Sequence, residues 1–170
     1  LVERGHGVTV VTSCRAYDHP ETQFPNAETW RGIRIYRVGS TGFGKAAKWR
    51  RVLNFASFWL FCWARLMFLP RQDLTVALTS PPLISFFGAL FAQVRGGKFC
   101  SWVMDLNPDE GVALGWLRQD SWVTRVLQAL LKYSLRRSDK IIALDRFMQQ
   151  RIVRKFIPTE RVVVVPPWSH

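Results

Sequence analysis

The residues of this chain best placed to do chemistry lie in Trp102-Val103-Met104-Asp105-Leu106-Asn107-Pro108-Asp109-Glu110, where an apolar run beginning near Lys98 stops at a carboxylate and then a proline. A buried strand that ends on Asp-x-x-Pro carries its last polar side chain to the rim of a sheet. In open parallel α/β sheets that rim is where ligands bind, and the proline ring ends the ladder there. Asp105 is therefore a candidate ligand contact, or else the cap of a turn or of the helix that follows; both readings stay open. A second stretch leads to the same rim. After the apolar run Asp73 to Thr79, Ser80-Pro81-Pro82 has the form of an N-cap with proline in the first turn, which predicts a helix from Leu83 to Val94. Helix N-termini favour anions, so Thr79 and Ser80 are candidate ligand contacts, although capping explains them equally well.

Other chemistries lack their residues. No Gly-x-x-x-x-Gly-Lys-Ser/Thr and no Gly-x-Gly-x-x-Gly after a strand is present, nor is Gly-x-Ser-x-Gly. His6, His19 and His170 are scattered, and Asp105, Asp109 and Glu110 are too few for a dedicated cation site, so no metal is expected. Cys14, Cys62 and Cys100 have neither disulfide nor zinc spacing, and a reducing, cytoplasmic setting fits them most simply. The formal charge of +12 calls for an anionic partner: phosphorylated ligands, an acidic membrane face or nucleic acid. Nucleic-acid binding needs exposed aromatics among the Lys and Arg, whereas the aromatics here sit mostly in core-like apolar runs. The rim residues and the charge together support a site for a phosphorylated or polyhydroxylated ligand.

The elements that must hold these residues can be read in order. At 170 residues, 48% of them hydrophobic, the chain has the size and the apolar content for one domain. Leu1 to Arg4 before Gly5 reads as the end of a helix already under way, without a signal peptide, so a piece of a longer protein is expected. Val8 to Thr12 is a buried strand, completing half of a βαβ unit whose first strand would precede Leu1. Residues 14 to 31 read as a surface loop, and Gly32 to Val38 as an edge or one-face-exposed strand. A Gly/Ser/Thr hinge after Gly39 leads to the basic cluster Lys45, Lys48, Arg50 and Arg51. From Val52 to Leu69 a helix is apolar around most of its girth, with Arg50, Asn54, Ser57 and Arg65 on one narrow polar strip shared with Phe61. Such a helix is buried on more than one side, lies against lipid, or spans it; Arg65 and a length near the lower limit argue against spanning.

Beyond the strands Asp73 to Thr79 and Phe99 to Met104, Asp120-Ser121 opens a helix with Trp122, Val123, Val126, Leu127, Leu130, Leu131 and Leu135 inward. Its other face carries Arg125, Gln128, Lys132 and Arg136, read as solvated. Asp139 to Leu144 is a strand; Asp145 caps a helix through Lys155 with Met148, Ile152 and Phe156 inward; Glu160 to Val165 is the last strand. Strands alternating with helices predict an α/β fold, a doubly wound, mostly parallel sheet with helices on both faces.

The order of "Leu-Val-Glu-Arg-Gly-His-Gly-Val-Thr-Val-Val-Thr", "Gly-Ile-Arg-Ile-Tyr-Arg-Val", "Thr-Ser-Pro-Pro-Leu", "Asp-Leu-Asn-Pro-Asp-Glu", "Ser-Asp-Lys-Ile-Ile-Ala-Leu-Asp-Arg-Phe-Met" and "Val-Val-Pro-Pro-Trp-Ser-His" resembles the N-terminal half of family 4 glycosyltransferases. The nearest look-alikes are bacterial enzymes that build exopolysaccharide, O-antigen and related envelope sugars, and the resemblance runs from Leu1 to His170. It implies the Rossmann-like N-terminal half of a GT-B fold over residues 1–165, with its first strand and glycine loop before Leu1. It further implies an interdomain linker starting at 166–170 and a C-terminal donor-binding domain beyond. In such a retaining transferase Asp105 would orient or activate the acceptor hydroxyl, with Thr79, Ser80, Asn107, Asp109 and Glu110 on the acceptor side. Many relatives carry a histidine where this chain has Trp102. Lys45, Lys48, Arg50 and Arg51 would hold the domain against an anionic membrane surface, in the cytoplasm at the inner face of the plasma membrane. The resemblance implies a lipid-linked glycan acceptor, a nucleotide-sugar donor for the full-length enzyme, no cofactor bound by this domain, no nucleic acid, and negligible transfer by this chain alone. The competing class is a non-catalytic basic α/β module that binds anionic membrane or nucleic acid.

Overall fold

A computed structural model describes residues 1–15, 22–39 and 48–167, with the backbone alone over 48–52. Lys45, His19, the hinge residues from Ser40 to Gly44, and Trp168-Ser169-His170 lie outside the described residues. The chain forms two compact units, Leu1–Leu69 and Pro70–His170.

In the first unit, a 3-10 turn at Val2–Arg4 stops at Gly5 and leads into β1 (Val8–Ser13). β2 (Ala27–Trp30) and β3 (Ile33–Val38) follow, in the order β1-β3-β2. β1 and β3 are parallel, and β2 is antiparallel to β3. The expected loop over 14–31 thus contains an edge strand, and β3 lies inside the sheet. What makes the hairpin is Arg31-Gly32, whose φ values of 48° and 80° form the mirror-image turn that matches strand twist. Gly32 is also held to glycine by space, since a Cβ there would lie 2.8 Å from Val2 Cγ1. Helix α1 (Lys48–Met67) starts a turn earlier than the apolar run suggests and packs on β1 and β3, with Phe58 and Cys62 buried. On its other side Leu53, Leu60, Phe61 and the following Phe68 are exposed. Among the described residues no helix is long and apolar enough to cross a membrane.

The second unit alternates strand and helix: β4 (Leu74–Ala77), α2 (Ile84–Arg95), β5 (Lys98–Val103), α3 (Asp109–Ala113), α4 (Trp122–Arg137), β6 (Lys140–Ala143), α5 (Arg146–Val153) and β7 (Val162–Val164). Its four strands are all parallel, in the order β4-β5-β6-β7. The pairing puts Ala77, Phe99, Ser101, Val103, Ile141, Ala143 and Val162 on one face. There Ala77 and Phe99 meet Ala89 and Ala92 of α2, while Val103, Ile141, Ala143 and Val162 form one core with Leu131, Leu135 and Ile152. The α/β, Rossmann-like, mostly parallel architecture expected of the sequence is present.

Details of the helix faces depart from the apolar period. Trp122, Val123 and Val126 are exposed, and the inward side of α4 is Thr124, Leu131, Ser134 and Leu135. Hydroxyls can take inward positions because each finds an acceptor. Ser134 Oγ donates to Leu130 O at 2.9 Å and Ser138 Oγ to Ser134 O at 2.9 Å. With the Ser138 proton so engaged, Ser101 is the donor in the 2.8 Å contact between Ser101 Oγ and Ser138 Oγ. Phe156, expected inward, is 80% exposed because the helix has ended before it and its φ of 64° turns the chain away. Trp116, Trp122 and Phe147 are exposed too, so the aromatics are less core-bound than their runs suggest. The caps at Ser121 and Asp145 form as expected, accepting from Thr124 N and Met148 N.

Gly88 sets how closely α2 approaches the sheet, because a Cβ on it would lie 2.8 Å from Ala77 Cβ and 3.0 Å from Phe99. Overpacking a core of this kind costs about 1–3 kcal/mol. Gly88→Val is therefore expected to lower the unfolding free energy by about that amount in urea titration, and an unchanged midpoint would show that the helix can shift freely.

Candidate functional site

The site is assembled where β4 and β5 end side by side at the C-terminal rim of the second unit's sheet. The chain leaves β4 through Leu78 to Thr79, which is buried although polar. Its Oγ1 accepts hydrogen bonds from the backbone N–H of Met104 and of Asp105, each at 3.1 Å. One threonine hydroxyl thus ties the end of β4 to the end of β5, and it satisfies two donors that the ladder leaves free at the strand terminus. The Asp105 backbone is fixed by this clamp, and its side chain is half-buried. Among the described residues no hydrogen bond or ion pair engages the side chain of Asp105 or of Asn107.

Thr79, Asp105 and Asn107 line one small cavity of about 40 Å³, with Pro82, Phe86 and Leu130 among its apolar walls. Phe86 and Leu130 come from α2 and α4; the sequence marks Leu130 only as an inward apolar position and neither residue as part of a site. Nothing local points to that role, because it arises only when two helices meet. At the base of the sheet a carboxylate does the matching work: Asp139 Oδ2 accepts from Phe99 N at 2.8 Å, and Asp139 N donates to Phe99 O at 2.8 Å. β5 is therefore pinned by side chains at both ends.

The remaining candidates are placed differently. Ser80 is exposed and does not cap α2. That helix begins at Ile84 after Leu83, a residue with φ of 68° and no side-chain cap, and the Ile84 N–H goes to Pro81 O at 3.2 Å. The tandem prolines form the turn before the helix instead of its first turn, so the expected Ser80 N-cap is absent. Glu110 folds back, its Oε1 accepting from Leu106 N at 3.0 Å, and closes the loop after Asp105. Asp109 is paired with Lys155 of the α5 end at 2.7 Å, with Arg151 at 4.0 Å. Both carboxylates therefore shape the loop that carries Asp105 and Asn107.

Trp102, on the opposite face of β5 from Ser101 and Val103, has a buried indole N–H with no hydrogen-bond partner. Burial pushes the Cys62 thiol up to about 11 and raises that of Cys100, where the nearby Asp139 charge adds to the effect. Neither is a thiolate near neutral pH, so neither serves as a nucleophile. Among the described residues no three His, Cys, Asp or Glu side chains come together to hold a metal ion. Of the basic candidates, Lys48, Arg50 and Arg51 belong to the first turn of α1 and Lys45 lies outside the described residues.

The second unit is a Rossmann-like α/β sheet whose C-terminal rim, the place where open α/β sheets take ligands, presents a carboxylate and an amide that are unengaged among the described residues, beside a small cavity. Residues 1–168 match the Glycosyl transferase 4-like domain, and the chain belongs to that family. A stretch of 99 residues, 58% of the chain, is 25% identical to a probable glycosyltransferase, WbjE, of Pseudomonas aeruginosa, and covers 25% of the length of that relative. The chain thus spans only part of the curated relative it matches.

The clamp makes a clear demand on Thr79. Thr79→Val keeps the shape and strands two N–H donors, at a cost of about 1–3 kcal/mol for each buried one left unpaired. Thermal unfolding should show a large loss for Thr79→Val and little for Ser80→Ala; equal small effects would mean the hydroxyl is dispensable.

Proposed function

We propose that this chain is the acceptor-binding domain of a retaining glycosyltransferase. In this reading the full-length enzyme moves a sugar from a nucleotide-sugar to a lipid-linked or polysaccharide acceptor in cell-envelope glycan synthesis. The observation that carries the reading is Asp105: a carboxylate at the sheet rim, held by its backbone and unengaged at its side chain, beside Asn107 and a cavity. A carboxylate so placed can accept a hydrogen bond from an acceptor hydroxyl and orient it for attack. Asn107 adds an acceptor and a donor for neighbouring hydroxyls. Asp109 and Glu110 hold the loop, and Thr79 holds the strand end. The donor nucleotide belongs to a second domain, which also supplies the charge that stabilises the leaving diphosphate, and the present chain alone has negligible transfer activity.

The same reading places the protein in the cytoplasm, peripheral to the inner face of the plasma membrane, where a lipid-linked acceptor is met. Its support is α1. Taken at about 100° per residue, Leu53, Leu60, Ala64 and Phe61 fall in one arc away from the buried Phe58 and Cys62; all four are exposed, as is Phe68 just after the helix, while Arg50 and Ser57 share that arc and Asn54 and Arg65 border it. A helix whose outer side carries large exposed apolar residues beside Arg50, Ser57 and Arg65, and which begins with Lys48, Arg50 and Arg51, suits an anionic lipid surface.

In the full-length enzyme, Asp105→Asn is expected to lower kcat/KM by about 100-fold or more, within the range for a lost general acid–base group. Unfolding temperature and nucleotide-sugar affinity should be unchanged. Activity within about threefold of the native enzyme would remove Asp105 from the reaction.

A further inference from the structure

The first unit contains a groove of about 420 Å³ between β3 and α1, lined by Tyr36, Arg37, Val38, Phe61, Arg65 and Phe68. We propose that this groove holds the headgroup phosphate of a single anionic membrane lipid, with the lipid chains lying over Phe61 and Phe68. The inference rests on the membrane-peripheral reading above and adds to it a defined lipid site.

Arg65 is the centre of the argument. Its guanidinium carbon stands 3.8 Å from the centroid of the Tyr36 ring, and among the described residues no carboxylate pairs with it. Stacking occupies one face of the guanidinium and leaves the in-plane N–H groups as donors. This fork matches the oxygens of a phosphate, and the ring beneath fixes its direction beforehand. Arg37 differs, because its guanidinium is already joined to Glu28 and to Pro25 O and lies over the Phe24 ring at 5.1 Å. It shapes the wall, and its charge is largely balanced by Glu28. Among the described residues the groove therefore presents the Arg65 charge without a carboxylate partner, on a chain with formal charge +12.

An anion alone would not explain the apolar rim. Phe68 is 83% exposed and Phe61 48%, and both border the groove that Arg65 enters. They continue the exposed apolar side of α1 through Leu60 and Leu53, so the phosphate position lies at the edge of the surface that would meet lipid. Two large exposed rings next to an unpaired, pre-oriented guanidinium are complementary to an amphiphile: negative at the head, apolar just beyond it. A soluble phosphate would leave the rings in water.

The test uses the full-length protein and monomeric dihexanoyl phosphatidylglycerol, titrated calorimetrically, alongside sedimentation with phosphatidylcholine vesicles with and without phosphatidylglycerol. Saturable binding of the short-chain lipid at one site is expected, weakened about tenfold or more by Arg65→Gln, as for loss of a charge-assisted phosphate contact. Phe68→Ser should weaken it as well. Arg65→Lys, which keeps the charge without the fork, should fall between, and Arg125→Gln on α4 should bind as the native protein does. Should Arg65→Gln prove unfolded, Arg65→Lys and Phe68→Ser decide. If phosphatidylglycerol vesicles bind the protein but the monomeric lipid does not, or Arg65→Gln and Arg125→Gln lose equally, the groove is not a lipid site while the membrane reading stands. If neither vesicles nor monomeric lipid bind, both fail. Inorganic phosphate binding as tightly as the short-chain lipid would overturn the lipid as occupant.

Discussion

The hydroxyl of Thr79 is the contact on which the candidate site depends. A parallel strand at its C-terminal end has N–H groups that the neighbouring ladder no longer accepts, and at β5 these belong to Met104 and Asp105. Without a partner they would draw in water or pull the strand end out of register. Thr79 takes both, and being buried it does so away from competing solvent. The same contact decides where Asp105 can stand, because its backbone nitrogen is one of the two donors. Asp139 does the corresponding work at the start of β5, exchanging hydrogen bonds with the Phe99 backbone. Between these two fixed points the strand has little freedom, and the loop from Asp105 to Glu110 inherits that rigidity.

Polar groups elsewhere in the second unit follow the same logic. Ser101, Ser134 and Ser138 are buried, and their protons run in one direction, from strand to helix to the helix's own carbonyls. Each is satisfied, so the chain keeps small residues where α4 meets the sheet without the penalty of orphaned hydroxyls. Gly88 performs the complementary service for α2 by removing a side chain where Ala77 and Phe99 need the space. Close helix-to-sheet approach on this face leaves only a small cavity at the rim, and Thr79, Asp105 and Asn107 lie around it.

Much of this was legible in the sequence because it is local. Short β-branched runs between capped amphipathic segments fixed the alternation of strands and helices, and Ser121 and Asp145 cap as their types predict. The Asp-Leu-Asn-Pro segment was correctly placed at a strand end. What escaped depended on partners distant in the chain. β2 was hidden because Ala-Glu-Thr-Trp is short and its turn, Arg31-Gly32, has arginine where asparagine or aspartate would announce the conformation. Ser80-Pro81-Pro82 has the form of a cap, but Leu83 reverses the backbone before the helix starts. The inward side of α4 differs from the apolar spacing because the hydroxyls of Thr124 and Ser134 find acceptors in the backbone carbonyls of Arg118 and Leu130, so small polar residues can be buried there. The roles of Asp109 and Glu110 could not be read either, because Lys155 lies far along the chain and the Leu106 N–H is a backbone group.

The account turns on whether the end of β5 is as firmly held as the Thr79 contact requires. Amide hydrogen exchange at Met104 and Asp105, resolved residue by residue, measures this directly. Protection comparable with that of Val103 in the strand itself, and lost in Thr79→Val, is the result the account predicts. Exchange of both amides at the rate of an open loop in the native protein would contradict it, since Asp105 would then have no fixed position from which to orient a ligand.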